Sequence, residues 1–200
     1  MSEGYIKFNC DWTNNDFSFT DEEFSYIDSW RNRLFGLNLI GSYSNGVGFG
    51  NISTRYRETD NFLISGSATG HLSNLSKQHY SLVKDYKIVD NHLSCIGRVK
   101  ASSESLSHAS IYESSTKIKA VIHIHNQKLY KKLKNKEITT SENVEYGTPF
   151  MAFEIKNILT SRNLNSQGII VMGGHEDGLI SFGTNLDIAG QLILEKFEEL

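Results

Sequence analysis

Apolar residues recur along the chain in two rhythms, and these divide it into helices and strands. Phe24, Ile27, Trp30, Leu34 and Leu37 fall three or four apart, the spacing of one helical stripe. Thr20-Asp21-Glu22-Glu23 ahead of them has the capping-box form, so a helix is expected from there to the Gly36–Gly41 region. "NFLISGSATG" (61–70) reads as a strand running into a turn of small residues, and strands are expected around Tyr86–Val89 and His92–Gly97. Leu106, Ala109 and Ile111–Tyr112 give "SSESLSHASIYESS" one packed helical face. "TKIKAVIHIH" is a strand, followed by a short helix through Leu129 and Leu133. Thr148-Pro149 is a favourable helix start, and Phe150, Phe153, Ile155 and Ile158–Leu159 carry that helix to about Ser161. "GIIVMGG" and "GLISFG" read as strands on either side of "HEDG", and "NLDIAGQLILEKFEEL" as a closing helix. Strands and helices interleave without a repeat or linker, which predicts one α/β domain over residues 1–200.

Composition narrows the function classes. Lys plus Arg total 20 and Asp plus Glu 23, a formal charge of −3. The only basic cluster, "KLYKKLKNK" (Lys128 to Lys136), is too local for a nucleic-acid surface. No apolar run approaches the ~20 residues that span a bilayer, so no membrane partner is expected. The start "MSEGYIKFNCDW" lacks a basic-then-apolar leader. Cys10 and Cys95 match no metal or redox spacing, as suits a reducing compartment. A soluble, cytoplasmic protein acting on a small molecule is expected.

The chemistry concentrates in "VIHIHN" (121–126). Residues two apart on a strand share a face, so His123 and His125 aim the same way. Two imidazoles on an apolar strand need partners, either backbone groups or a transition metal. A catalytic metal site takes three protein ligands, and His175 in the glycine-bounded "GGHEDG" is the third candidate. Glu104, at the end of "KASSE", is either a first-turn acid stabilised by the positive end of a helix or a general base or acid beside the metal. His108, four positions on, reads as a structural partner. Gly48-Phe49-Gly50-Asn51-Ile52-Ser53, Ser65-Gly66-Ser67-Ala68-Thr69-Gly70 and Ser102-Ser103 offer amides and hydroxyls that suit an oxyanion, and each is also an ordinary turn.

In order along the chain, "GFGNIS", "ISGSATG", "ASSESLSHASIY", "VIHIH", "YGTP" and "GGHEDGLISFG" resemble the class II aldolase/adducin family from about Phe24 to Leu194. The resemblance implies a three-layer α/β/α sandwich around a central, largely antiparallel sheet. It implies a divalent metal, commonly zinc, on His123, His125 and His175, with Glu104 as acid/base. Asn51, Ser67, Ser102 and Ser103 would hold a phosphate. Family members are often cyclic tetramers, so a homo-oligomer is expected. The activity implied is an aldolase-type lyase that cleaves a small, phosphorylated ketose or hydroxy-carbonyl compound through a metal-stabilised enediolate. The same metal site also serves sugar-phosphate epimerases and dehydratases, and the adducin head is a non-catalytic binding module. Two departures stand out. "ISGSATG" replaces the family's threonine-proline-x-glycine turn, leaving Ser67 and the Thr69–Gly70 pair as alternative contacts. The sequence also ends at Leu200, where some family aldolases continue to a catalytic tyrosine; Tyr146 in "EYGTP" is either the nearest alternative donor or an ordinary tyrosine near a helix start.

Overall fold

The computed structural model describes residues 6–57 and 59–200. Its strands are β1 (Asn9–Thr13), β2 (Gly41–Ser42), β3 (Gly48–Phe49), β4 (Asn51–Arg55), β5 (Phe62–Ser65), β6 (Tyr80–Lys87), β7 (His92–Gly97), β8 (Ala120–His125), β9 (Ile138–Thr139), β10 (Gly168–Val171) and β11 (Gly178–Gly183). Nine of them make one central sheet in the order β1-β7-β6-β5-β4-β8-β11-β10-β9, and the short β2 and β3 form a separate ladder. Every internal pairing of the large sheet is antiparallel, and only the edge strands β1 and β9 run parallel to their neighbours.

Alternation along the strands divides the core in two. Ile122 and Ile124 of β8, with Ile52, Leu63, Val171 and Leu179, face a layer built from α1 (Asp21–Gly36), α3 (Gln127–Leu133) and α5 (Leu186–Glu198). Val121, Phe62, Ile64, Ile170, Ile180 and Phe182 point the other way, onto α2 (Ser105–Ser114) and α4 (Pro149–Ser161). This is the expected three-layer α/β/α sandwich with a largely antiparallel sheet. Burial of a large aliphatic side chain contributes about 1.5–3 kcal/mol, and both faces of the sheet are lined with them.

The local signals act as expected. Thr20 and Glu23 form both bonds of the capping box, and Thr148 accepts the Met151 amide ahead of Pro149. Three differences from the sequence reading are instructive. The strand expected around Tyr86–Val89 begins at Tyr80 and ends at Lys87, because Ile88 to Asn91 make the turn into β7. β1 and β4 carry no clear alternation of apolar residues. β1 is a half-exposed edge, while β4 buries Ser53 behind Ile52. Cys10 and Cys95, distant in sequence, stand 3.5 Å apart as free thiols because β1 pairs with β7. Among the described residues, no helix is long and apolar enough to cross a membrane.

Candidate metal centre

β8 lies between β4 and β11, so its register is fixed on both sides. Asn51 and Ile180 both pair with His123, and Gly178 pairs with His125. His123 and His125 therefore emerge on the α2–α4 face, at the end of the strand. The third histidine arrives on the turn between β10 and β11, where His175 donates its amide to Met172 and accepts that of Gly178. Gly178 is needed there. A Cβ at this position would lie 2.6 Å from the His175 ring.

The three Nε2 atoms converge. His123 and His125 are 3.0 Å apart, His125 and His175 3.1 Å, and His123 and His175 3.2 Å. All three rings are buried. A tetrahedral ion with nitrogen ligands at about 2.0–2.1 Å spaces those nitrogens roughly 3.3 Å apart, so the triangle matches one face of such a site. The backs of the His123 and His125 rings are engaged. His123 donates from Nδ1 to the Leu179 carbonyl at 3.0 Å, which places its proton there and leaves Nε2 with a lone pair. His125 Nδ1 pairs with the Tyr43 hydroxyl at 2.7 Å. Burial holds the imidazoles neutral, the form that ligates. His123 is pushed down to about 4, and His125 and His175 fall well below the usual histidine value. An all-imidazole, buried, neutral donor set fits a divalent transition metal.

Glu104 is the N-cap residue of α2 and is fully buried. Its Oε2 accepts from Ser107 at 2.9 Å, and its Oε1 has no hydrogen-bond partner among the described residues. The positive helix end expected to stabilise this carboxylate is outweighed by burial. Desolvation pushes the carboxyl up to about 7, against the opposing Ser107 hydroxyl and the Lys7 ammonium. His108 is apart from the triad, bonded through Nδ1 to Ser53 at 2.7 Å, and Ser53 also meets the Tyr112 hydroxyl at 2.8 Å. Tyr146 stacks on His175 with ring centroids 3.9 Å apart.

The expected oxyanion contacts are brought together. Asn51, Ser67, Thr69, Gly70, Ser102 and Ser103 surround one small polar hollow, so Ser67 and the Thr69–Gly70 pair both reach it. Asn51 Oδ1 is buried there without a partner among the described residues. Sequence reasoning missed the support beneath. Arg31 of α1, 1 % exposed, donates to the carbonyls of Thr69 at 3.3 Å, Gly70 at 3.4 Å, Ser73 at 3.2 Å and also Leu72. Nothing in a lone arginine on a helical stripe signals that role. Tyr43 and Lys7 were missed as well, because each meets its partner only through the packing of distant segments.

Comparison with known proteins agrees with this architecture. The family model described as class II aldolase and adducin N-terminal domain matches residues 42–195. No curated protein matches the sequence. Among solved structures, an L-fuculose 1-phosphate aldolase superposes with a TM-score of 0.67 at 18 % identity, over 90 % of this chain and 84 % of that one. The L-fuculose-1-phosphate aldolase of Thermus thermophilus gives 0.58 at 18 % identity, covering 86 % and 87 %. A sugar-phosphate aldolase from Thermotoga maritima gives 0.61 at 16 % identity, covering 84 % and 88 %. At these identities the likeness is one of fold.

Proposed function

The chain belongs to the class II aldolase and adducin N-terminal domain family, and from that premise we propose that it is a metal-dependent lyase of the aldolase type, working as a single domain. Its substrate is a small phosphorylated ketose or hydroxy-carbonyl compound. The observation that carries this reading is the convergence of three neutral Nε2 atoms in a buried pocket. A shared cation offsets most simply the cost of burying three imidazoles turned on one another.

His123, His125 and His175 would hold the cation, most simply zinc. A bound divalent metal supplies Lewis-acid stabilisation of the negative charge that builds on the substrate's carbonyl oxygen. The rest falls to the chain's own groups. Glu104 moves the proton: with its carboxyl near 7, it can take a proton and return it at neutral pH. Ser107 orients it through Oε2 and leaves Oε1 without a hydrogen-bond partner, available for that transfer. Asn51, Ser67, Ser102 and Ser103 hold the phosphate end of the substrate. Asn51 sits opposite His123, so the two ends of a short substrate are held by neighbouring positions. Tyr146 is the second acid/base candidate. As in related enzymes, a homo-oligomer, in the first instance a tetramer, is expected.

Epimerisation or dehydration would use the same groups. The non-catalytic, adducin-head-like alternative does not account for a complete histidine triad and a fully buried glutamate. The test is the metal content of gently purified protein, followed by a product assay on a panel of phosphorylated ketoses. About one transition metal per chain and aldehyde release support the reading. No metal uptake after incubation with zinc or cobalt would end it. Isomer exchange or water loss would select one of the sister reactions.

A further inference from the structure

The N-terminal segment carries a residue that sequence reasoning left unused. Lys7 lies two residues before β1, and its Nζ donates to Glu145 Oε1 at 2.9 Å and to the Tyr146 carbonyl at 2.8 Å. The same ammonium stands 3.8 Å from the centre of the Tyr146 ring. His175 stacks on that ring too, with planes 23° apart. A stacked imidazole covers one face of a tyrosine, so the ammonium takes the other.

We propose that Lys7 is a positioning residue for the histidine centre: its ammonium pins the 145–147 turn, which lays the Tyr146 ring flat against His175. The inference rests on the metal-binding reading above. His123 and His125 are aimed by a central strand, but His175 rides on a turn and needs contacts to fix its ring plane. Gly178 leaves room on one side, and Tyr146 supplies a flat wall on another.

Lys7 is suited to hold that wall. Its side chain is 11 % exposed, and a cation over an aromatic face gains most where water is scarce. Its carboxylate partner, Glu145, is 43 % exposed, so the ion pair alone is a weak tether. The carbonyl bond and the ring contact act directly on Tyr146. Gly147 supplies the φ of +66° that this turn requires, a backbone conformation that strains any residue with a side chain. The Lys7 charge also acts on the buried Glu104, where it favours the ionised carboxylate.

The experiment is a cobalt(II) titration of the full chain and of Lys7→Met, Lys7→Arg, Tyr146→Leu and the Lys7→Met/Tyr146→Leu double variant. Affinity and the visible ligand-field bands are read together, with a metal-free melting curve to confirm folding. Groups that orient a metal ligand typically change affinity by about 10–100-fold. Lys7→Met and Tyr146→Leu should each weaken cobalt binding about tenfold and shift the bands. The double variant should be no weaker than Tyr146→Leu alone, since both act through one ring. Lys7→Arg should restore most of the affinity, because a guanidinium also stacks on tyrosine. Unchanged affinity and bands in Lys7→Met, or losses that multiply in the double variant, would overturn the inference while leaving the metal centre standing. Should Lys7→Met fail to fold, unchanged bands in Tyr146→Leu would overturn it equally. No cobalt uptake by the unaltered chain would overturn the metal-binding reading, and this inference with it.

Discussion

Asn51 and His123 are partners across the β4–β8 ladder, so a residue of the polar hollow and a ligand of the candidate metal centre lie side by side on one face of the sheet. The Asn51 side chain keeps an unpartnered oxygen in the hollow, while its neutral amide is compatible with an anion. Asn51→Asp should therefore repel a phosphorylated substrate without disturbing the histidines. We expect KM to rise at least about tenfold, a cost near 1.4 kcal/mol, with metal content unchanged. Steady-state kinetics beside elemental analysis checks this.

Glu104→Gln keeps the shape of the side chain and removes its proton transfer. Turnover should fall by about 10²–10⁴-fold with metal still bound. Unchanged turnover would remove Glu104 from the mechanism.

The same substitution has a stability consequence whose sign is fixed by the burial of Glu104. Its folded value, about 7, lies above the ordinary 4.5, so its contribution to stability is fully present below pH 4.5 and is lost as pH rises through 7. Gln never ionises and escapes that loss. In metal-free protein, the variant should gain up to about 3 kcal/mol relative to the parent between about pH 4.5 and pH 8. Urea unfolding of both proteins at the two pH values measures it. The buried histidines titrate in parent and variant alike and cancel in the difference.

Removing a ligand should remove the ion. His123→Ala and His175→Ala are each expected to purify without metal, and a chelator should lower the melting temperature of the parent but not of either variant. With metal at about a hundred times its Kd, the stabilisation lost is about 2.7 kcal/mol.

Gly178→Ala is the sharpest test of how His175 is placed. The added methyl would meet His175 first, at 2.6 Å from the ring and 3.0 Å from its carbonyl. We expect loss of metal affinity and a stability cost of about 1–3 kcal/mol, as for other overpacked sites. Calorimetry with and without zinc distinguishes the two effects.

Much of this is legible in the sequence because the relevant signals are local. The two-residue period of "VIHIHN" puts both histidines on one face, and Thr20–Glu23 and Thr148–Pro149 mark helix starts that the structure keeps. The glycine-bounded "GGHEDG" offers the third histidine and the small-residue turns offer the hollow, and the family resemblance joins them into one site. What stays hidden depends on pairings between distant segments. Lys7 reaches Tyr146 only because β1 lies along β7, and Arg31 reaches the 69–73 turn only through the packing of α1. The elevated carboxyl of Glu104 is also a burial effect, and no spacing rule reports how much water a side chain will lose.

Two candidate ligands on a doubly paired central strand and a third on a turn would make the centre unequal in time. Releasing His123 or His125 means opening β8 against both β4 and β11, close to unfolding the molecule as a whole. Releasing His175 means undoing a few backbone bonds between Met172 and Gly178. Hydrogen exchange should find the β8 amides among the slowest and those of 173–177 far faster. The turn would then set the rate at which an ion enters or leaves, while both the turn and the strand contribute to how well it is held.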